Sequence, residues 1–369
     1  MRPLLALDLP LGPELEQAIR TCVNDHVAFC VLDQRLSPRR QSESLDLLGA
    51  TSVVDSNGSH RRRSGREVED RIGLVMLTSG SSGDPKAVQL SWTALQASAD
   101  MTGAALHGSG APVWFPCLSA SHIGGLAVLL RAVMGDAALL WDDAARIESA
   151  PTRGATHVAV VRAQLVRHDL SRFETVLLGG ARPPSYVGEN VVTTWGMTET
   201  GSGIVYDGFA LPGVDVAEVR GELVVRSPTL FSCYRDGDRP RASGPDGRDD
   251  WFPTGDAGTV AHGRVSVRGR LGYVINTGGE KLWPEDLESV LATLEGVRDV
   301  AVTGVDDPEW GQRVVALVVG DGRSLDEAIV ERASERIGPW AKPKEIRYVT
   351  AIPRTSNGKI KRSDLTHLF

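Results

Sequence analysis

Few folds accommodate a short apolar run that breaks at once into glycines and hydroxyls, and Ile72 to Val88 is such a stretch. Leu74 to Leu77 reads as a buried strand. Thr78, Ser79, Gly80, Ser81, Ser82 and Gly83 follow it, and then Asp84, Pro85 and Lys86. Gly80 and Gly83 permit turns that aim successive N–H groups at an anion. The hydroxyls add donors, and Lys86 adds a point charge. A strand-led loop closed by a lysine suits a polyphosphate; the plainer alternative is a flexible Ser/Gly surface loop. It is not a Walker A loop, because Asp84-Pro85 precede Lys86 and Ala87 follows it.

The same texture recurs along the chain. Ahead of the loop, Leu15 to Cys22 reads as a helix, Val27 to Leu32 as a strand and Ser56 to Arg71 as a solvated connection. After it, Ser91 is placed to N-cap a helix from Trp92 that ends before Gly108. Val113–Phe115, Ala137–Trp141, His157–Val161, Thr175–Leu178 and Val191–Thr194 read as strands, with a helix from Gly124 to Met134 among them. Strands separated by helices predict an α/β fold with mostly parallel sheets covered on both faces. Ligands in such sheets sit beyond the carboxyl ends of the strands. The glycine-rich loops Thr78–Gly83, Gly179–Ala181 and Gly196–Gly203 are all there.

From Val214 the pattern changes to short β runs, Gly221–Arg226 and Arg264–Arg268, around a polar loop at Asp236–Asp250. That predicts a small antiparallel β unit beside the main sheet. Beyond Arg270 a separate unit of small-domain size is expected. Pro284 opens a helix through Leu294, strands follow at Val297–Val302 and Arg313–Val319, and Ser324 with Glu327 forms a capping box for a helix to Ile337. Glu345–Val349 is the last strand.

A chain of 369 residues with this layout predicts two domains, 1–270 and 271–369. Its net charge of −7 argues against non-specific binding to nucleic acid or membrane surfaces. Bound phosphate must then be held by local geometry. The four cysteines, Cys22, Cys30, Cys117 and Cys233, are scattered. That spacing fits neither a zinc site nor a disulfide framework and points to a reducing cytoplasm. Neither a signal peptide nor a membrane span is expected.

Four further stretches carry the functional reading. They are Trp195-Gly196-Met197-Thr198-Glu199-Thr200, Trp251-Phe252-Pro253-Thr254-Gly255-Asp256, Gly269-Arg270 ahead of Ile275-Asn276-Thr277-Gly278-Gly279-Glu280, and Pro353-Arg354-Thr355-Ser356-Asn357-Gly358-Lys359-Ile360. Singly, Gly-Asp is a turn and Asn-Gly-Lys a hairpin tip. In this order and with the phosphate loop, they resemble the adenylate-forming superfamily of acyl-CoA synthetases, nonribosomal-peptide adenylation domains and luciferases, over roughly residues 70 to 362.

The resemblance implies a large N-terminal domain, a small mobile C-terminal domain and a two-step reaction with ATP, Mg²⁺ and, most simply, coenzyme A. By the superfamily pattern, Thr78–Lys86 holds the β- and γ-phosphates and Trp195 stacks on adenine. Thr198 bonds the α-phosphate and Glu199 holds Mg²⁺. Asp256 takes the ribose hydroxyls with Arg270 in support, and Lys359 meets the α-phosphate and the attacking carboxylate. There are departures. About seventy residues precede the phosphate loop, so the first domain is expected to be shortened at its N-terminus. Gly272 stands where the family has a hinge Asp or Lys, and Asn276 where many members have lysine.

Ser121-His122-Ile123-Gly124-Gly125, the helix carrying Arg131, and Leu177-Leu178-Gly179-Gly180-Ala181 resemble the o-succinylbenzoate–CoA ligase family of menaquinone biosynthesis. That pattern implies His122 and Gly125 near the reacting carboxyl, and Gly179, Gly180 and Ala181 lining the adenine and acyl pocket. Arg131 becomes a cation for a second carboxylate. The plainer readings are a capping histidine and a snorkelling arginine. Other acids on the same fold, a stand-alone adenylation enzyme, and a non-catalytic nucleotide-binding protein are the alternatives. The last would be expected to lose Lys86, Glu199, Asp256 or Lys359, and all four are present.

Overall fold

The computed structural model describes residues 1–369 except 63, 79–84, 107–109, 185–186 and 356–357. The chain forms two compact units. The first comprises Met1–Val216, Val224–Phe252 and Ala261–Val265, and the second Ala217–Leu223, Pro253–Val260 and Ser266–Phe369.

The chain begins with β1 (Leu4–Leu7), α1 (Pro13–Asn24), β2 (Ala28–Val31), α2 (Pro38–Leu48), β3 (Ser52–Asp55), β4 (Gly58–Arg61), β5 (Ile72–Thr78) and β6 (Lys86–Ser91). It continues with α3 (Trp92–Ala105), β7 (Val113–Phe115), α4 (Ile123–Met134), β8 (Ala138–Leu139), β9 (His157–Val161), α5 (Arg162–Arg167), β10 (Thr175–Gly179), β11 (Val191–Met197), β12 (Ser202–Tyr206) and β13 (Phe209–Ala210). Then come β14 (Asp215–Val219), β15 (Glu222–Arg226), β16 (Cys233–Tyr234), β17 (Phe252–Ala261) and β18 (Arg264–Arg270); β16 belongs to the first unit and the residues of the other four are shared out between the units.

One sheet of the first unit runs β16-β6-β5-β2-β1-β3-β4. Its centre is parallel: β1 pairs with β2 and β3, and β2 with β5. Its flanks are antiparallel, β5 with β6, β6 with β16, and β3 with β4. The expectation of mostly parallel sheets is corrected here to mixed ones. Residues 79–85 are too few to make the crossover that a parallel pair needs, so β5 and β6 form a hairpin. Lys86 is consequently the first residue of a strand, opposite Thr78. Ser56–Arg71 is corrected likewise, since it contains the exposed strand β4, folded back on β3 at Asn57-Gly58. That dipeptide is a hairpin signal outweighed, in the sequence reading, by the surrounding charges.

The second parallel set is β8-β7-β9-β10-β11, with β12 antiparallel to β11 and β13 to β12. Phe115, Val158, Val160, Val176 and Leu178 pack its core. Ser91 caps α3 as its sequence position predicts, its Oγ accepting from the Ala94 amide at 3.1 Å.

In the second unit, β19 (Ile275–Thr277), β20 (Glu280–Leu282), α6 (Pro284–Leu291), β21 (Val297–Asp307), β22 (Gly311–Gly320), α7 (Asp326–Arg336), β23 (Glu345–Tyr348) and α8 (Arg362–Leu365) enclose their own core around Leu287, Leu291, Val302 and Ile329. The capping box at Ser324 and Glu327 does not form. A 3₁₀ turn over Arg323–Leu325 takes up Ser324, and α7 starts without a side-chain cap. Among the described residues, no helix is long and apolar enough to cross a membrane.

Candidate active site

In the first unit, parallel pairing brings the carboxyl ends of β7, β9, β10 and β11 to one edge. Gly179, Gly180 and Ala181 leave β10 there, Gly180 at φ 84°. Trp195 lies on β11 itself, not after it, at a β-bulge between Trp195 and Gly196. A Cβ on Gly196 would stand 2.2 Å from the Ser202 carbonyl oxygen, so only glycine fits this close approach. Thr198–Thr200 then makes one 3₁₀ turn. Thr200 Oγ1 accepts from the Met197 amide at 2.8 Å and sits 2.7 Å from the Ser202 carbonyl, which fixes the turn that carries Thr198 and Glu199.

Glu199 is held from two sides. Its carbonyl accepts from the Phe231 amide at 2.8 Å, and its Oε1 accepts from the Tyr234 phenol at 2.9 Å. Lys86 Nζ lies 4.6 Å from the centre of the same Tyr234 ring and 4.0 Å from Asp238. The phosphate-loop lysine and Glu199 therefore share one aromatic neighbour. Thr78 Oγ1 donates to the Lys86 carbonyl at 3.4 Å. Ser79, Gly80, Ser81, Ser82 and Gly83 lie outside the described residues.

α4 opens at His122, whose side chain does not cap it. Instead Nε2 lies 3.3 Å from Arg35 Nη2. The same nitrogen lies 3.9 Å from Asp33 Oδ2. Arg35 is in turn forked onto Asp33 at 2.7 and 2.8 Å. Burial alone would raise the Asp33 pKa, but the Arg35 hydrogen bonds and charge, with His122, hold it below the usual carboxylate range. Gly125 lies against the preceding loop so closely that a Cβ would stand 2.3 Å from the Ser119 carbonyl oxygen.

Arg131 is nine residues after His122 on this helix, roughly 13 Å along its axis. It is not a snorkelling surface residue: only 6% of it is exposed. Its guanidinium stacks 4.8 Å from the centre of Trp114, and its Nη1 has no hydrogen-bond partner among the described residues. Burial lowers its pKa, slightly opposed by Tyr206, yet an arginine in protein stays charged. Ser98, Ala127, Arg131 and Gly201 meet where α3 packs on α4, with no space for a water molecule between them. A cavity of about 40 Å³ is walled by Thr102, Leu106, Trp114, Arg131 and Asp136. Gly201 ends the Thr198–Thr200 turn.

In the second unit, Asp256 is buried on β17 and pairs with Arg270 Nε at 2.9 Å. Arg270 Nη1 donates to the Thr254 carbonyl at 2.6 Å, and the Asp256 amide donates to Thr254 Oγ1 at 3.1 Å. The pair is rigid and presents a carboxylate. We expect Asp256→Ala to raise the KM for ATP about tenfold or more while changing kcat less than roughly threefold. Its ribose bonds would be alike in ground and transition states, and steady-state kinetics with varied ATP checks it.

Lys359 is exposed beside the antiparallel bridge between Arg354 and Ile360, and its carbonyl accepts from the Thr355 amide at 2.8 Å. Arg354, forked onto Asp299 with both contacts at 2.8 Å, anchors that bridge. Behind it, Arg362 is buried against Glu285 and Glu288 at 3.0 and 2.8 Å.

No group of three or more His, Cys, Asp or Glu residues is placed to hold a metal among the described residues. Glu199 fits Mg²⁺ nonetheless. A hard dication is commonly held by one or two carboxylates plus substrate phosphates, and Glu199 is a half-buried carboxylate fixed at one oxygen. The sequence reading passed over Tyr234, Asp33 and Arg35. Tyr234, at the head of Tyr-Arg-Asp-Gly after a short β run, carried the only visible signal.

These features coincide with what comparison finds. The AMP-binding enzyme family matches residues 13–235, and the AMP-binding enzyme C-terminal domain matches residues 286–359. The chain belongs to the AMP-binding enzyme family, and its fold is that of the adenylate-forming ligases. It is 34% identical over 338 residues to a Mycobacterium tuberculosis (H37Rv) protein named "Probable 2-succinylbenzoate--CoA ligase", covering 83% of this chain and 87% of that one. It is 30% identical over 344 residues to the 2-succinylbenzoate–CoA ligase of Bacillus cytotoxicus, covering 80% and 70%. In three dimensions it is similar to Bacillus subtilis o-succinylbenzoate CoA synthetase (MenE) in complex with OSB-AMP, with TM-score 0.83 and 23% identity over 98% of this chain and 88% of that one. ATP-bound MatB from Rhodopseudomonas palustris gives TM-score 0.84 at 19% identity over 100% and 89%.

Proposed function

We propose that the chain is an ATP-dependent acid–CoA ligase that converts 2-succinylbenzoate, through its acyl-adenylate, to 2-succinylbenzoyl-CoA in menaquinone biosynthesis. The relatives named for this reaction support it, and one observation carries the choice of acid. Arg131 is a buried cation, on the helix that opens at His122, whose Nη1 has no hydrogen-bond partner among the described residues. An unpaired buried charge is expensive. A substrate bringing two carboxylates supplies one for adenylation and one for Arg131; a fatty or simple benzoic acid leaves the arginine stranded.

In this reading Thr78, Lys86 and the loop between them hold the β- and γ-phosphates, and Trp195 stacks on adenine beside Gly180 and Ala181. Asp256 and Arg270 hold the ribose. Thr198 bonds the α-phosphate, and Glu199 would hold Mg²⁺, which neutralises phosphate charge when bound. His122, Gly125 and Gly179 position the acid. A carboxylate oxygen attacks the α-phosphorus and pyrophosphate leaves; Lys359 sets a positive charge between the two anions. The CoA sulfur then attacks the acyl carbon, AMP leaves, and the thiol proton passes to solvent. Residues 271–369 act as the mobile domain that brings Lys359 in for the first step and withdraws it for the second. The cytoplasm is the natural setting for a chain whose described cysteines are all unpaired.

Pyrophosphate release measured over a panel of carboxylic acids, with and without CoA, tests the reading. Release with 2-succinylbenzoate, and a CoA-dependent thioester, is the expected result. Release only with monocarboxylic acids would overturn the substrate, and release with none would overturn the enzyme.

A further inference from the structure

Tyr234 belongs to no motif used so far, yet it touches two groups the proposed chemistry needs. Its phenol donates to Glu199 Oε1 at 2.9 Å, and its ring lies 4.6 Å under the Lys86 ammonium. The side chain is buried, with 7% exposed, and cannot swing freely. Its backbone is pinned as well. β16 pairs with β6 so that Tyr234 stands opposite Val88, the Tyr234 amide donates to the Asp238 carbonyl at 2.8 Å, and the next amide, of Arg235, donates to the Ala87 carbonyl at 2.8 Å. Phe231 packs on the Tyr234 ring at 4.9 Å between centroids, and its own amide holds the Glu199 carbonyl. Segment 231–235 thus grips Glu199 by backbone and side chain while bracing the strand from which Lys86 projects.

A carboxylate that binds a hard cation through one oxygen is oriented by what its other oxygen meets. A rotating Glu199 would sample several directions and lose conformational entropy on binding. With Oε1 fixed by the phenol, Oε2 is left with a set direction. We infer that Tyr234 is a positioning residue that orients Glu199 for the divalent cation carried by the nucleotide, acting through the carboxylate and not on the substrate. The inference rests on the reading of Glu199 as the metal ligand.

The test uses Tyr234→Phe, which removes one oxygen and keeps the ring for Lys86 and Phe231. The full-length protein is saturated with α,β-methylene ATP, which cannot transfer its adenylyl group, and titrated with Mn²⁺ by electron paramagnetic resonance. Tyr234→Phe should weaken Mn²⁺ binding to this complex about tenfold or more, while AMP, bound without metal, keeps its affinity within roughly twofold. In turnover the half-saturating Mg²⁺ concentration should rise in parallel, with kcat recovering at high Mg²⁺. A purely structural tyrosine would lower AMP affinity as well, and excess Mg²⁺ would not restore turnover. Unchanged or tighter Mn²⁺ binding in Tyr234→Phe overturns the inference. Glu199→Gln, titrated alongside, separates the two levels. If it binds Mn²⁺ normally, the metal-ligand reading itself fails; if it binds weakly and Tyr234→Phe binds normally, only the role of Tyr234 fails.

Discussion

Lys359→Ala is expected to slow acyl-adenylate formation by about 100-fold or more, while thioester formation from supplied acyl-adenylate and CoA falls no more than a few-fold. Adenylation brings a carboxylate against the anionic α-phosphate, and the barrier contains their repulsion. A cation placed at that point acts mainly on the transition state, so its loss lowers kcat more than it raises any KM. The lysine sits exposed beside a bridge tied by Arg354 to Asp299, so the mutation removes a charge without disturbing a core. Single-turnover assays of each half-reaction decide the matter. An equal collapse of both steps would show that Lys359 serves the fold or the nucleotide in general.

The second large effect belongs to Arg131→Leu. Stranding a carboxylate that had a charge-assisted partner costs about 2–5 kcal/mol of binding. The KM for 2-succinylbenzoate should therefore rise roughly 30-fold or more, with the KM for ATP nearly unchanged. Leucine is close to arginine's apolar stem in size and can still lie on Trp114, so folding should survive; thermal unfolding checks this. The variant should lose little with an acid that has one carboxyl group. Wild-type kinetics on the dicarboxylate would reduce Arg131 to a packing residue over Trp114.

Much of this was legible because it is local. β7 and β9 are read from sequence at their observed limits, since Val113–Phe115 is an apolar run between Pro112 and Pro116, and His157–Val161 lies between Thr156 and Arg162. The Ser91 cap is likewise a contact within one turn. Chain segments that need a distant partner were not legible. β4 is fully exposed, and it exists because β3 offers it an edge. Ser324 and Glu327 have the right spacing for a capping box, but the chain prefers a 3₁₀ turn ahead of the helix. The candidate residues of the site could be proposed from sequence because each motif is contiguous. The Tyr234–Glu199 bond joins residues 35 apart, and no periodicity announces such a pair. Arg131 shows both sides. Its place on an apolar helix was plain, but only the fold distinguishes a surface arginine from a buried one whose Nη1 has no partner among the described residues.

In the proposed function the chain activates one carboxylate of a dicarboxylic acid and senses the other through Arg131. Acid-dependent ATP–pyrophosphate exchange tests it most directly, comparing 2-succinylbenzoate with 3-benzoylpropionate and 2-butyrylbenzoate. Each analogue lacks one of the two carboxyl groups and keeps most of the shape. Exchange is expected with the dicarboxylate, and a kcat/KM at least roughly 30-fold lower with either analogue. Arg131→Leu should narrow the gap for the analogue that retains the activated carboxyl. An analogue exchanged as well as 2-succinylbenzoate by the wild-type protein would contradict the proposed function.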